Sequence, residues 1–326
     1  MAADWVPDVL GEPFEQLTLD LGVEGDNGPL VATLVRLRPN PIAALVQPLR
    51  DVDVLYVHGW SDFFFQTQLA RFWTGLGARF HALDLRRYGR SLRADNVPGY
   101  IDALDDYDVD IEAALVAMGH ATDAASRRRL VLLGHSTGGL TLTLWAARNP
   151  GRASALVLNS PWLEFQFGAV GRQAIAPLVS ARARFDPRGT QPVVDLGFYT
   201  RAQTEVGALP LPVDEPSWRP ERGFPTRPGW LAAILEGHRR VAAGVEVGCP
   251  VLVLLSARST PPISWNETMT STDSVLVVDD IAKSATRIGR LVTIARIDGA
   301  IHDVFLSRPE PRAQAYRDLE RWLRAR

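Results

Sequence analysis

The chain has 326 residues, 46% of them hydrophobic and 22% charged, the proportions of a folded globular protein rather than a disordered or fibrous one. A formal net charge of −2 gives no electrostatic reason to expect nucleic acid or an anionic membrane as partner. Cys249 is the only cysteine, which excludes an intrachain disulfide and a four-thiolate zinc site. The first residues, Met1-Ala2-Ala3-Asp4-Trp5, lack the basic and apolar regions of a signal peptide. No apolar run approaches the roughly 20 residues that span a bilayer, so a soluble cytoplasmic protein is the expectation.

Gln16 to Leu21 and Leu30 to Leu37 are strand-like and are separated by the turn residues Asp26-Asn27-Gly28-Pro29, which predicts an antiparallel hairpin. Val52 to Val57 and Phe80 to Leu85 are short continuous apolar runs with a helical segment, Gln68 to Gly77, between them. Such runs are the mark of strands covered on both faces of a parallel sheet. The alternation continues with a helix over Val109 to Met118, a strand over Leu130 to Leu133, a helix over Gly138 to Ala147 and a strand over Ala155 to Asn159. It resumes with Val251 to Leu255 as a strand, Val275 to Ile288 as a helix, Leu291 to Ile297 as a strand and Ala313 to Leu323 as a closing helix. This order predicts an α/β fold. Pro161 to Gly248 breaks the rhythm: it shows no convincing strand and is rich in proline and large aromatics, among them Trp162, Phe165, Phe167, Phe198, Tyr199, Trp218, Phe224 and Trp230. So long an insertion reads as a cap, residues 161–248, on a core formed by residues 1–160 and 249–326.

The strongest local signal is Gly134-His135-Ser136-Thr137-Gly138, which ends a strand and opens a helix. Its glycines allow the backbone to turn sharply, so that a strained serine projects from the carboxyl edge of the sheet. A serine hydroxyl needs a base to act as nucleophile at neutral pH. Of the six histidines, His302 lies just after the last strand in Gly299-Ala300-Ile301-His302-Asp303, on the edge that Ser136 faces. The base needs a carboxylate to fix its tautomer. Asp273, 29 residues before His302, is favoured, although Thr272-Asp273-Ser274 is also good capping chemistry. Glu164, after the strand ending at Asn159, is the rival acid. For an oxyanion hole, the Thr137 amide at the helix start and the Trp60 amide in His58-Gly59-Trp60 are the two expected donors.

These residues resemble the α/β-hydrolase superfamily and, within it, the monoacylglycerol lipase, lysophospholipase and S33-like serine aminopeptidase group. The resemblance rests on His58-Gly59, Asp84 to Ser91, Gly134 to Gly139, Asn159-Ser160-Pro161 and Gly299 to His302, in family order. It implies an α/β-hydrolase fold with a mostly parallel sheet of about eight strands. It also implies hydrolysis of a carboxylic ester through an acyl-enzyme. Two departures stand out: Arg87 replaces the first glycine of Asp-x-Arg-Gly-x-Gly-x-Ser, and Ser256 to Thr272 resembles an insertion ahead of Asp273. Aromatics in the cap point to an apolar small-molecule ester. Amidase, peptidase or acyltransferase chemistry would use the same residues, and a ligand-binding receptor on this fold is the alternative outside catalysis. No metal-binding, dinucleotide or phosphate-loop motif is present, so no cofactor is expected.

Overall fold

A computed structural model describes residues 4–24, 28–38, 47–122, 126–190, 195–209, 211, 213 and 215–325. Its strands are β1 (Val6–Pro7), β2 (Phe14–Val23), β3 (Pro29–Leu37), β4 (Val52–Val57), β5 (Arg79–Asp84), β6 (Arg129–His135), β7 (Ala155–Asn159), β8 (Val251–Ser256) and β9 (Val292–Ile297). The helices are α1 (Thr67–Gly75), α2 (Tyr107–Met118), α3 (Thr137–Arg148), α4 (Gly168–Phe185), α5 (Phe198–Glu205), α6 (Pro228–Ala243), α7 (Val278–Ala285) and α8 (Pro309–Arg324). All nine strands form one sheet in the order β1-β2-β3-β5-β4-β6-β7-β8-β9. The first three join antiparallel, and β5 through β9 pair in parallel.

The sheet has one strand more than the eight expected. Two-residue β1, half of it proline, is too short to leave a sequence pattern. The helix expected over Val275 to Ile288 is α7, which begins only at Val278. Asp279 and Asp280 therefore lie in its first turn rather than deeper inside. The hairpin between β2 and β3 forms; of its turn, Asp26 and Asn27 lie outside the described residues. Between β7 and β8 the chain makes α4, α5 and α6 and, among the described residues, no strand.

Alternation along each strand divides the core. Val52, Val54 and Tyr56 of β4 pack with Val131, Leu133 and Val157 on one face. Leu55 and Val57 pack with Leu132, Leu156 and Leu158 on the other. That period of two is what a pleated strand covered on both sides requires. The order also fixes where a site can form. From β4 the chain crosses to β5 on one side, and β6 pairs on the other, so the crevice beyond the carboxyl ends of β4 and β6 is the topological switch point.

Backbone strain gathers along that edge. Among the described residues, the non-glycine positions with positive φ are Ser61 (51°), Arg87 (65°), Ser136 (51°) and Ser160 (44°). Each follows closely on the carboxyl end of one of the four strands β4, β5, β6 and β7. Such conformations cost on the order of 1–3 kcal/mol each and persist only where surrounding structure enforces them. Arg87 keeps the turn that glycine would otherwise make. Its buried guanidinium binds the Tyr100 carbonyl and Glu24, which offsets part of the backbone penalty.

The loop after β4 is anchored by a buried charge cluster. Arg90 spans Asp8 (Nε–Oδ2 2.6 Å, Nη2–Oδ1 2.9 Å) and Asp84 (Nη1–Oδ2 2.7 Å), and donates to the Phe64 carbonyl at 3.1 Å. Asp84 in turn accepts the Phe64 amide at 2.9 Å. Removing the cation leaves two buried carboxylates uncompensated, and breaking a buried pair in this way is strongly destabilising. Arg90→Met is expected to lower the unfolding free energy by about 3–5 kcal/mol, read as a shift of the urea midpoint at constant slope.

Candidate active site

Ser136 sits between β6 and α3 with φ 51° and ψ −116°, and is 8% exposed. Three contacts lock this turn. The Ser136 amide donates to the Asn159 carbonyl at 3.1 Å, and the Ser136 carbonyl accepts from Trp162 at 3.0 Å and Leu140 at 3.2 Å. The flanking glycines are steric necessities. A Cβ on Gly138 would lie 2.3 Å from the His58 carbonyl oxygen, and one on Gly134 would lie 2.6 Å from the Gly139 Cα. Gly59 also passes near, because a Cβ there would meet the Ser136 Cβ at a tight 3.1 Å. The early His-Gly loop and the serine turn are therefore pressed together by the absence of side chains.

Asp273 and His302, 29 residues apart, meet with Nδ1 donating to Oδ2 at 2.8 Å, and both side chains are buried. The second oxygen of the carboxylate, Oδ1, accepts the amides of Val275 and Leu276, both at 2.8 Å. Asp273 thus caps the turn ahead of α7 with one oxygen and holds His302 with the other, so the capping and pairing readings of the sequence describe the same residue. The segment Ser256 to Thr272 is tied in by a parallel bridge between Ser259 and Asp273, which brings the acid back to the β8 end despite the insertion. In the neutral ring, a proton on Nδ1 toward Asp273 makes Nε2 of His302 the acceptor. Among the described residues, no hydrogen bond engages Ser136 Oγ.

Glu164 is committed elsewhere. It accepts from Arg172 Nε at 2.7 Å and from the Phe165 amide at 2.9 Å. Arg172 holds its carboxyl below the ordinary range against the opposing effect of burial. His135, next to the serine, sends Nδ1 to the Asn159 carbonyl at 3.1 Å; burial keeps its pKa low although Asp303 pulls the other way. His58 receives the Leu85 amide at Nε2 (3.2 Å), so its Nδ1 carries the proton and donates to the Gly59 carbonyl at 2.8 Å. A neutral His58 therefore braces the loop that bears Trp60. Among the described residues, neither the Trp60 nor the Thr137 backbone amide is taken by another group.

Several residues that the sequence left unassigned reach the site from the segment between β7 and β8. Tyr199 of α5 packs edge-on against the His302 ring at 5.4 Å, and its hydroxyl accepts the Asp303 amide at 3.1 Å. Asp303 itself is held by Asn159 Nδ2 at 2.7 Å. Arg219 donates to Asp62 at 3.0 Å, and the Phe224 amide donates to Ser61 Oγ at 3.0 Å. Trp230 of α6 lies on Trp60 with ring centroids 3.6 Å apart. Only the aromatic richness of this stretch was visible in sequence. An irregular segment has no period to show which rings face the site.

A switch-point crevice holding a Gly-x-Ser-x-Gly turn, with a carboxylate–histidine pair at the same sheet edge, defines an α/β hydrolase. The family model for "Serine aminopeptidase, S33" matches residues 51–307, and the chain belongs to that family. Among solved structures, it is similar to a soluble variant of monoglyceride lipase from Saccharomyces cerevisiae, in complex with a substrate analog. The TM-score is 0.65 at 14% identity, over 95% of this chain and 96% of that one. Monoacylglycerol lipase from Paleococcus ferrophilus matches at 0.58 and 18%, over 85% and 95%. A thermophilic esterase from Thermogutta terrifontis matches at 0.54 and 17%, over 94% and 98%. Identities this low show the shared fold. No curated protein matches the chain. No helix among the described residues is long and apolar enough to cross a membrane.

His238 of α6 ties this segment to the serine turn, since its Nε2 donates to the Trp162 carbonyl at 2.9 Å. Burial pushes its pKa down to about 4. The folded state therefore prefers the neutral ring, so stability is full above the unfolded value of 6.5 and falls as the pH drops toward 4. The loss attributable to this residue is about 3 kcal/mol between pH 7 and pH 4. Urea unfolding of the wild type and His238→Gln at both pH values should show a shallower acid loss in the variant. Equal slopes would contradict the assignment.

Proposed function

We propose that the protein is a serine hydrolase that cleaves a carboxylic ester through an acyl-enzyme on Ser136, with His302 as base and Asp273 as its orienting acid. The observation that carries this reading is the 2.8 Å contact from His302 Nδ1 to Asp273 Oδ2, which in the neutral ring makes Nε2 the acceptor at the edge where Ser136 projects. On substrate binding, Nε2 closes on Ser136 Oγ, a hydrogen bond that often tightens only in the substrate complex. The serine then attacks the carbonyl carbon as its proton passes to His302. The negative oxygen of the tetrahedral intermediate is met by the free amides of Trp60 and Thr137 at the start of α3. His302 next protonates the departing alcohol, and a water activated by the same nitrogen hydrolyses the acyl-enzyme.

Residues 161–248 serve as a cap in this reading. Tyr199 contacts the histidine loop, and Arg219, Phe224 and Trp230 contact the loop after β4, so the segment covers the edge that Ser136 faces. The lipase and esterase relatives favour an ester over an amide. A cytoplasmic setting with a small-molecule ester as partner belongs to the same proposal.

Ser136→Ala should abolish both labelling by a fluorophosphonate and turnover of 4-nitrophenyl esters. Asp273→Asn should retain the Oδ1 cap but force the wrong imidazole tautomer, lowering kcat by about 10⁴-fold. Glu164→Gln should leave kcat within about threefold, since only removal of the triad acid changes the tautomer. A damaging Glu164→Gln alongside a benign Asp273→Asn would reverse the assignment of the acid. Matched amides turning over as fast as esters would replace the esterase reading with an amidase one.

A further inference from the structure

His302 lies on the loop between β9 and α8, outside any helix or strand, so no backbone ladder sets its distance from Ser136. The bond to Asp273 orients the ring but reaches only the side chain. One residue, Asn159 at the end of β7, ties the serine turn to the histidine loop. Its main-chain carbonyl accepts the Ser136 amide and His135 Nδ1, both at 3.1 Å. The His135 ring in turn packs on that of His302, with centroids 5.0 Å apart. The Asn159 side chain grips the two residues after His302: Nδ2 donates to Asp303 Oδ1 at 2.7 Å, and Oδ1 accepts the Val304 amide at 3.2 Å. A backbone N–H can only donate, so the orientation of the carboxamide is fixed. Asn159 and Asp303 are each 1% exposed, and Gln66 Nε2 closes on the other oxygen of Asp303, Oδ2, at 3.3 Å.

Resting on the serine-hydrolase reading above, we infer that Asn159 is a positioning residue whose side chain sets where His302 stands relative to Ser136. The division of contacts within the residue carries the inference. Its hold on the serine turn is made by the main chain, which any side chain preserves, whereas its hold on the histidine loop is made by the carboxamide. Replacing the side chain therefore leaves the serine turn and its amides in place and lets residues 302–304 drift. Tyr199 and Gln66 still touch Asp303 in such a variant, so the loop shifts rather than detaches. Proton transfer between Ser136 Oγ and His302 Nε2 is sensitive to such a shift, because a misplacement of about 1 Å can cost about 100-fold in rate.

The test measures kcat and KM for 4-nitrophenyl acetate with Asn159→Ala and with Asn159→Ser, whose hydroxyl is too short to reach both partners. Each substitution is made in the wild-type and in the His302→Ala background. Thermal melts check folding, and the second variant carries the comparison if the first does not fold. In the wild-type background kcat should fall about 10- to 100-fold with KM within about twofold. The residual rate of His302→Ala comes from the oxyanion amides and binding. Against it, the same substitutions should change the rate by less than about twofold, because the group they position is gone. Variants that keep the wild-type kcat, or that raise only KM, overturn the inference. So does an equal fold-loss in both backgrounds, which would make the side chain a support of the serine turn. These outcomes leave the serine-hydrolase reading standing. No ester turnover and no fluorophosphonate labelling in the wild type removes both.

Discussion

The site depends on one steric constraint: the turn after β6 and the loop after β4 approach until no side chain fits between them. A Cβ at Gly138 would sit 2.3 Å from the His58 carbonyl oxygen, well inside any tolerable contact. That approach sets the φ and ψ of Ser136, brings the Thr137 amide to the start of α3 and places Gly59 and Trp60 alongside. The charge cluster of Asp8, Arg90 and Asp84 and the neutral His58 then hold the second loop from behind.

Against this fixed edge the segment from β7 to β8 contributes side chains rather than backbone. Tyr199 leans on the histidine ring, Arg219 neutralises Asp62, and Trp230 covers Trp60. Burial raises the Asp62 pKa while Arg219 pulls the other way. The pairing of Arg219 with Asp62 and the seating of Phe224 on Ser61 Oγ link the conformation of this segment to the loop bearing Trp60.

The parallel strands were legible because a strand buried on both faces must be continuously apolar; Val52–Val57 and Ala155–Asn159 occupy the residues expected of them. The hairpin was legible from its turn chemistry. The shorter α7 was not, because Asp273 spends Oδ1 on the amides of Val275 and Leu276 and so holds them in a turn that apolar spacing alone reads as helix. The serine turn declares itself through glycines whose cause is local. The choice between Asp273 and Glu164 as partner of His302 could not be read locally. It rests on a contact across 29 residues and on an arginine, Arg172, that occupies the rival. Tyr199, Arg219 and Trp230 were hidden for a similar reason, since their meaning comes from tertiary placement.

Four strands ending in strained, non-glycine residues also bear on how such a chain can change. Ser61, Arg87, Ser136 and Ser160 each hold the backbone where glycine would rest more easily. The rim of the site is therefore where the chain stands furthest from its own stability optimum. Pressure for heat tolerance alone would relax these positions first, and at Ser136 relaxation would remove the proposed nucleophile. Robustness and activity are in opposition along this one edge, so a more thermostable descendant would have to gain its stability in the body of the sheet and its helices.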